Sequence, residues 1–506
     1  LFGKANLGHH SASDLIIFSK FSKMKSKNNN QNSRRSFLKK SILASSIMIV
    51  PRHVLGGPGF LAPSDQLNIA GIGVGGKGRS DIMNASVKGR ERVVALCDID
   101  PSGSHGVLDS IKNFPKANFY TDFRRLLDTE KDLDAITVST PDHTHGVIAM
   151  EAMNRGIHVY VQKPLTHNIN EARLLTETAR ANKIVSQMGN QGASNPAQLK
   201  IQEWIDAGLI GKVSEVKVWT NRPVWPQGIP KPKPDPQNKP SDLAWNLWLG
   251  PASETPYSSS LHPFNWRGWW EYGTGALGDM GCHIIDVPFR ALGLHYPTAV
   301  ECSVGSVYAK MWEPEHLPEG CPPSSAVTIN FDATHKNDTP MVMTWTDGGI
   351  RPPHPELIPS SEDIGEPGGA NGVLMIGEHG IIITGVYGNR PKLFRKGEET
   401  LTYKQPESNL PEYGHQYQWI DAIKAGFNSN EHKALTSSFD YSGPLTETVL
   451  MGNIAIRSYL LRKESGRNME YYGRKKLLWD GNNMKITNLK DANQFIGRDY
   501  RKGWEL

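Results

Sequence analysis

A glycine-rich turn between two apolar segments constrains the fold of this chain more than any other feature of its sequence. Residues 67–72 (Leu-Asn-Ile-Ala-Gly-Ile) are short and apolar, as a buried strand is, and residues 73–78 (Gly-Val-Gly-Gly-Lys-Gly) follow directly. A helical pattern comes next, and then a second apolar segment, residues 92–97, which ends at Asp98. Strand, glycine turn, helix, strand and terminal acid in this order predict a dinucleotide-binding βαβ unit.

Each part of this unit has a mechanical reason. The first glycine allows a tight turn, the second lets the backbone approach a pyrophosphate, and the third lets helix and strand pack closely. The helix N-terminus offers free N–H groups to phosphates. Asp98 would accept hydrogen bonds from ribose hydroxyls, which favours NAD and leaves NADP open. The glycines fit two registers, 71/73/76 and 73/75/78, and we prefer the second because Gly71 lies inside the predicted strand.

The alternation of strands and helices continues and predicts a doubly wound parallel sheet over residues 66–190. Further strands are expected at 133–140, 157–161 and 184–188, with helices at 146–155 and 170–182. Ligands bind at the carboxyl ends of such strands. Thirteen residues at or near those ends are the candidate cofactor-binding residues: Gly73, Gly75, Gly76, Lys77, Gly78, Asp98, Thr140, Pro141, His143, His145, Gln162, Lys163 and Gln191.

The pair His143 and His145 is interpreted as part of a loop over the cofactor. No third ligand stands at a fitting spacing, and the four cysteines show no metal-binding spacing either. We read the cysteines as small buried apolar residues or as one incidental bridge. The sequence therefore predicts no metal site.

From residue 191 to the C-terminus the pattern changes to that of an α+β domain. Alternating or apolar segments predict a large, mostly antiparallel sheet with helices on one face. The expected strands are 213–220, 299–308, 326–333, 341–346, 373–376 and 380–385.

The most informative part of this second domain is the segment 273–286. If it is helical from about Ala276, then Asp279, His283 and Asp286 fall at i, i+4 and i+7 on one face. A histidine beside a carboxylate is a natural proton acceptor, because its ordinary pKa is about 6.5 and the acid can orient it. A helix cap with polar surface residues is the alternative.

Tryptophan is concentrated in one region. Eight of the thirteen tryptophans lie between residues 201 and 270. Flat aromatic faces suit the apolar C–H faces of sugar rings, and packing within the domain explains the same clustering equally well.

Composition excludes several classes of protein. Hydrophobic residues are 38% and charged residues 21% of the 506, which is typical of a soluble globular chain. Four cysteines exclude a disulfide scaffold, and no apolar run reaches the roughly 18 residues of a membrane span. Residues 1–60 hold ten Lys or Arg and one acid, so the remainder is acidic overall and shows no nucleic-acid footprint.

That basic N-terminal region contains a targeting pattern. Residues 33–39 (Ser-Arg-Arg-Ser-Phe-Leu-Lys) precede a weakly apolar segment, residues 42–50, which Pro51 ends. This predicts a twin-arginine export signal over residues 24–60, with the export machinery as a partner and a periplasmic or otherwise exported location. A chance Arg-Arg before a buried helix is the alternative. Residues 1–23 carry no pattern.

The chain resembles the glucose–fructose oxidoreductase / inositol dehydrogenase / rhizopine-catabolism (Gfo/Idh/MocA) family from about Leu67 to its C-terminus. Three motifs carry the resemblance: the glycine turn, residues 162–164 (Gln-Lys-Pro), and residues 278–283 (Gly-Asp-Met-Gly-Cys-His) with Asp286 behind them. Residues 439–450 are similar to the C-terminal region of an exported bacterial branch.

The resemblance implies a catalytic set of Lys163, Asp279 and His283. Lys163 would contact the reacting hydroxyl, His283 would take its proton, and Asp279 would orient the substrate and the histidine. It also implies a homo-oligomer formed through the open sheet of the second domain. Gln162 departs from the usual acid, and residues 273–276 (Gly-Thr-Gly-Ala) depart from the usual glycine run.

The function we predict is an exported NAD(P)-dependent oxidoreductase. It would move a hydride from a secondary hydroxyl of a sugar, glycoside or polyol to a tightly bound nicotinamide. The first alternative is a redox-neutral NAD-dependent glycosidase, which oxidises, eliminates the aglycone and returns the hydride. The second is a non-catalytic sugar-binding protein. The sequence motifs do not separate the first two.

Overall fold

Six parallel strands form the sheet of the first domain. They are β1 (Asn68–Ile72), β2 (Arg92–Cys97), β3 (Asn118–Tyr120), β4 (Ala135–Val138), β5 (His158–Val161) and β6 (Ser186–Met188). Their order across the sheet is β3-β2-β1-β4-β5-β6, and each neighbouring pair is parallel. The predicted doubly wound sheet is confirmed, with one strand more than expected, because β3 has only three residues and no apolar run.

Five helices connect these strands. They are α1 (Gly76–Ala85), α2 (Val107–Asn113), α3 (Phe123–Thr129), α4 (Asp142–Asn154) and α5 (Ile169–Ala181). Asp122 and Asn168 cap α3 and α5, since their side chains accept from the N–H groups of Arg124 and Glu171. Strand β4 is wholly buried, as expected for a sheet with helices on both faces.

Helix α4 begins four residues earlier than the sequence predicts. Pro141 precedes its first turn and Asp142 opens it, an arrangement that favours helix initiation. The prediction that His143 and His145 lie in a loop is therefore wrong, because both are in the first turn of α4.

The second domain is built mainly on strands. They are β7 (Val213–Thr220), β8 (Ala299–Val304), β9 (Tyr308–Lys310), β10 (Glu313–Pro314), β11 (Ser325–Phe331), β12 (Met341–Thr346), β13 (Asn371–Gly377), β14 (Gly380–Thr384), β15 (Lys392–Arg395), β16 (Leu401–Thr402), β17 (Lys463–Ser465), β18 (Asn468–Glu470), β19 (Leu477–Asp480) and β20 (Lys485–Ile486). Ten of these strands form one sheet of order β16-β15-β14-β13-β7-β12-β11-β8-β19-β20. Within this sheet only the β7–β12 pair is parallel, so the predicted mostly antiparallel sheet is confirmed. Strands β9 with β10 and β17 with β18 form separate hairpins.

Seven helices complete this domain, and two of them bind it to the first. They are α6 (Pro196–Asp206), α7 (Trp245–Leu249), α8 (Gly275–Ile284), α9 (Asp286–Ala291), α10 (His415–Ala425), α11 (Asn430–Lys433) and α12 (Phe439–Tyr459). The almost fully buried α12 packs against α5 of the first domain and α8 of the second. Helix α10 covers α1 and β5, and its Trp419 and Ile420 are fully buried against the first domain.

This computed structural model describes residues 65–102, 105–404, 406, 409–465 and 468–506. The predicted export signal, residues 24–60, and the extension, residues 1–23, lie outside the described residues. The described residues form one compact unit. No helix among the described residues is long and apolar enough to cross a membrane. All four cysteines are free.

Candidate active site between the two domains

The glycine turn has the geometry of the register 73/75/78. Gly73 follows β1 with a φ of +73°, and a Cβ built there would lie 2.7 Å from the carbonyl oxygen of Ser139. A Cβ at Gly78 would lie 1.7 Å from the carbonyl oxygen of Gly73. Only glycine permits this contact between α1 and the turn, whereas Gly71 lies within β1.

A cavity of about 470 Å³ opens above this turn, at the carboxyl ends of the parallel strands. Its volume lies in the usual range for cofactor and ligand sites. Seven of the predicted cofactor-binding residues line it: Gly73, Gly75, Gly76, Lys77, Asp98, Thr140 and Pro141.

Asp98 connects the cavity to the glycine turn. Its Oδ2 accepts from the N–H groups of Val74 at 2.9 Å and Gly75 at 3.3 Å. Burial raises the pKa of Asp98 to about 6, although these backbone donors oppose the rise. Asp100 and Asp122 also line the cavity, and three acids at this end would repel a 2′-phosphate.

The residues present fit NAD. The first-turn N–H groups of α1 have no acceptor within their own helix, and the side-chain-free surface of the turn admits a pyrophosphate. Asp98 is placed to accept from ribose hydroxyls. Asp98 and the glycine turn are the residues that would hold the ribose and the pyrophosphate.

His143 and His145 do not line the cavity, and neither does Lys163, so their contact with the cofactor stays a prediction. The ring nitrogens of His143 lie 3.2 Å from the carbonyl oxygen of Tyr272 and 2.8 Å from that of Trp248. Those of His145 lie 2.9 Å from the oxygen of Pro164 and 2.8 Å from that of Thr140. Both histidines therefore hold surrounding backbone in place.

Lys163 and Asp279 meet across the two domains. Lys163 follows β5, Asp279 lies in α8, and the Lys163 Nζ is 2.8 Å from both the carboxylate and the backbone oxygen of Asp279. The Nε of Arg267 lies 3.5 Å from the same carboxylate. Burial alone would raise the pKa of Asp279, but the two cations outweigh it and hold that pKa at about 2.

His283 lies one helical turn beyond Asp279 and is buried, at 5% exposure. Its Nδ1 has no hydrogen-bond partner among the described residues. Burial, and then the charge of Lys163, keep the pKa of His283 well below its ordinary value. The imidazole is therefore neutral near pH 7.

The Asp279 carboxylate contacts Lys163 and Arg267, and its role in orienting the substrate and His283 stays a prediction. The expectation that one helix runs from Asp279 to Asp286 is wrong. Asp286 opens α9 and accepts from Tyr441 Oη at 2.6 Å, with Arg290 at 3.1 Å. The polar stripe thus ends at His283, since α8 ends at Ile284.

The two glutamines of the predicted set do not line the cavity. The Gln162 side chain donates to the buried Asp81 at 2.8 Å. Gln191 begins a 3-10 helix, and its Oε1 is buried with no partner among the described residues. Within the described part of the chain, no group of three His, Cys, Asp or Glu side chains is placed to hold a metal ion.

Three residues of this region were not predicted from the sequence. Arg267 lines the cavity and lies over the rings of Phe264, at 4.4 Å, and Trp266, at 4.2 Å. A cation within an aromatic run was the signal that could have indicated it. Tyr387 lies edge-on to His283 with ring centres 4.9 Å apart, and Glu412 pairs with Lys77.

Tyr387 and Glu412 share an unusual backbone conformation. Their φ values are +62° and +48°, in the left-handed region that side chains rarely adopt. Such strain concentrates at functional sites. Neither residue lies near a motif in sequence, so no local signal could have found them.

Most of the clustered tryptophans serve packing. Trp248 and Trp266 line the cavity, together with Trp504 from the C-terminus. The other six of the eight are buried in the protein interior: Trp204, Trp219, Trp225, Trp245, Trp269 and Trp270.

Comparison with family models decides the classification. The model described as the NAD-binding Rossmann fold of the Gfo/Idh/MocA oxidoreductase family matches residues 67–190, and the model of its C-terminal alpha/beta domain matches residues 197–306. The two matches identify residues 67–190 as an NAD-binding domain and residues 197–306 as part of a C-terminal domain of the Gfo/Idh/MocA oxidoreductase type.

The names of similar curated proteins give differing activities. A levoglucosan dehydrogenase of Pseudarthrobacter phenanthrenivorans is 24% identical over 207 residues, which are 41% of this chain and 43% of the relative. A glycosyl hydrolase family 109 protein of Shewanella pealeana is 29% identical over 206 residues, which are 36% and 44% of the two chains. The chain spans less than half the length of these two relatives.

Solved structures share the fold. An inositol dehydrogenase homolog from Azotobacter vinelandii, complexed with NAD+, superposes with a TM-score of 0.53 at 16% identity, covering 77% of this chain and 95% of that one. A levoglucosan dehydrogenase complexed with NADH and L-sorbose gives 0.52 at 16% identity, covering 77% and 96%.

The low pKa of Asp279 predicts a pH dependence of stability. A carboxyl whose folded pKa lies below its unfolded value, near 3.9, stabilises above that value and loses the contribution as pH falls toward the folded pKa. We expect the difference in unfolding free energy between wild type and Asp279→Asn to shrink by about 2 kcal/mol from pH 5 to pH 2. Urea unfolding at each pH measures it.

Asp206→Asn is the matched control. Asp206 is exposed and pairs with Lys336 on the surface. The difference in unfolding free energy between wild type and Asp206→Asn should therefore change by under about 1 kcal/mol from pH 5 to pH 2. A difference for Asp279→Asn that is independent of pH would contradict the strength assigned to the Lys163–Asp279–Arg267 contacts.

Proposed function

We propose that this protein is an NAD-dependent oxidoreductase that removes a hydride from a secondary hydroxyl of a sugar, glycoside or polyol. One observation carries the proposal. A buried neutral histidine, His283, lies one turn from an Asp279 that fixes Lys163, where the parallel strands of an NAD-binding domain end.

The geometry indicates a separate role for NAD and for each of Lys163, Asp279 and His283. NAD, when bound, accepts the hydride at its nicotinamide ring. Asp279 holds the Lys163 ammonium by two contacts of 2.8 Å, so the cation is fixed before a substrate arrives. Lys163 stabilises negative charge on the substrate oxygen as the O–H bond weakens. His283 accepts the hydroxyl proton at the ring nitrogen that faces the substrate.

The substrate class rests on the relatives and on the polar groups at hand. The relatives and structural neighbours include levoglucosan, scyllo-inositol and inositol-type dehydrogenases. Lys77, Glu412 and Tyr387 carry polar groups near His283, and donors and acceptors of this kind suit a ring with several hydroxyls.

The test is the absorbance of reduced nicotinamide. Protein with NAD is mixed with a panel of sugars, glycosides and polyols, and we expect the reduced band to rise with one class. Lys163→Ala and His283→Ala should each lower the turnover rate by roughly 10²–10⁴, because each removes a charge or proton acceptor used in the transition state.

Lys200→Ala is the control for the loss of a lysine. Lys200 lies on the exposed side of α6, where it pairs with Glu203, so its rate should equal wild type. Unchanged turnover in both Lys163→Ala and His283→Ala, with folding intact, would refute the proposed site.

A redox-neutral glycosidase is the second candidate, favoured by the similarity to glycosyl hydrolase family 109 proteins. The same His283 and Lys163 would serve an oxidation, the elimination of the aglycone and the return of the hydride. Release of an aglycone without net reduced nicotinamide supports this candidate, whereas one reduced nicotinamide per substrate supports the first.

We propose, further, that the protein is exported by the twin-arginine route. Arg34 and Arg35, before the apolar segment 42–50, support this. A reporter that is active only after export, fused to residues 24–60, should be transported in a bacterium with this route. Replacing both arginines by lysine should abolish transport, and transport that survives the change would contradict the proposal.

A further inference from the structure

Asp81 is a buried carboxylate beside the site that accepts several hydrogen bonds. Neither the family match nor the proposed chemistry assigns it a role. It lies in α1 and is fully buried. Four donors from four segments reach it: Ser139 Oγ at 2.8 Å, Gln162 Nε2 at 2.8 Å, Lys77 Nζ at 2.9 Å and Gln416 Nε2 at 3.1 Å. A buried charge held in this way is fixed in position.

The contact between Asp81 and Gln162 connects Asp81 to Lys163, the residue that follows Gln162. The Gln162 amide donates to Asp81, and its Oε1 lies 3.4 Å from the backbone N–H of Lys163. A Cβ at Gly189 would lie 2.5 Å from the Gln162 Nε2, so a glycine at 189 leaves the space that the Gln162 amide occupies beside Asp81. Asp81 therefore orients the residue that precedes the lysine.

The contact between Asp81 and Gln162 restricts which side chains positions 81 and 162 can carry together. Asp81 needs a donor at 162, and an amide supplies one. A carboxylate at 162 would bring two negative oxygens to hydrogen-bond distance, and one would have to take up a proton or move away. This accounts for the amide at the position where the family resemblance leads one to expect an acid.

We propose that Asp81 is a positioning residue for Lys163, acting through Gln162, and that positions 81 and 162 together must carry one negative charge. The inference rests on the proposed function, because the role of Lys163 does. It adds that the negative charge in contact with Gln162 resides on α1 of the NAD-binding domain.

The test is an exchange of charge between the two positions. Gln162→Glu places two carboxylates in contact, and Asp81→Asn leaves none. The double variant Asp81→Asn/Gln162→Glu restores one charge, with the amide introduced at position 81 now donating to the carboxylate introduced at position 162. NADH binding by fluorescence titration and the midpoint of thermal unfolding are measured for all four proteins.

We expect Gln162→Glu to bind NADH about tenfold more weakly than wild type, and the double variant to recover to within about threefold. Gln418→Glu and Asp206→Asn are the controls. Gln418 is exposed and accepts from Ser194 through its Oε1, so either change alters the same charge away from the site and should leave binding unchanged.

The possible results distinguish a failure of the proposed function from a failure of the positioning role of Asp81. A folded wild type that binds no NADH refutes the proposed function itself. A wild type that binds NADH, with a double variant no better than the worse single variant, refutes the positioning role alone, since a merely structural Asp81 would not be repaired by a charge at 162. If a single variant fails to fold, a folded and binding double variant still supports the inference, and an unfolded double variant overturns it.

Discussion

The ion pair between Lys163 and Asp279 is the contact on which the site depends. Lys163 is placed by the end of β5 in the first domain, and Asp279 by α8 in the second, so the pair forms only when both domains fold against each other. The buried α12 packs against α5 and α8, while α10 covers α1 and β5. These interdomain helices hold the two halves of the site in register.

Charges around this pair are buried, and each is matched by a partner. Asp279 has Lys163 and Arg267, and Asp81 has Lys77 together with three neutral donors. Burial would otherwise penalise every one of these charges strongly. His283 is the exception, since it is buried without an ion-pair partner and stays neutral, which suits a proton acceptor. The site thus combines fixed charges with one neutral base.

Sequence patterns predicted those turns, strands and helices that are determined by residues adjacent in the chain. The glycine turn, Asp98 after β2, five of the six strands up to residue 188 and the helices α1, α4 and α5 were predicted, because turn geometry and apolar runs depend on adjacent residues. Helices α2 and α3 were not predicted. Strand β3 was missed because three half-exposed residues carry no such signal. The start of α4 was predicted too late in the chain, and His143 and His145 were therefore predicted to lie in a loop.

The candidate site was predictable only in part, for a related reason. The family resemblance supplied Lys163, Asp279 and His283, which lie in recognisable motifs. Arg267, Tyr387 and Glu412 reach the site through contacts with residues 12 to 335 positions away, and no spacing rule connects them. Gln162 looked like a departure from a motif until Asp81, 81 residues earlier, explained it.

The most direct test of this account is the position of the nicotinamide ring in a crystal structure of the NADH complex. We predict that the pyrophosphate contacts the N-terminus of α1, and that the reactive ring carbon lies within about 5 Å of the Lys163 Nζ, on the side of His283. A ring bound elsewhere, or separated from Lys163 by ordered protein, would contradict the assignment of Lys163, Asp279 and His283 as the reacting set.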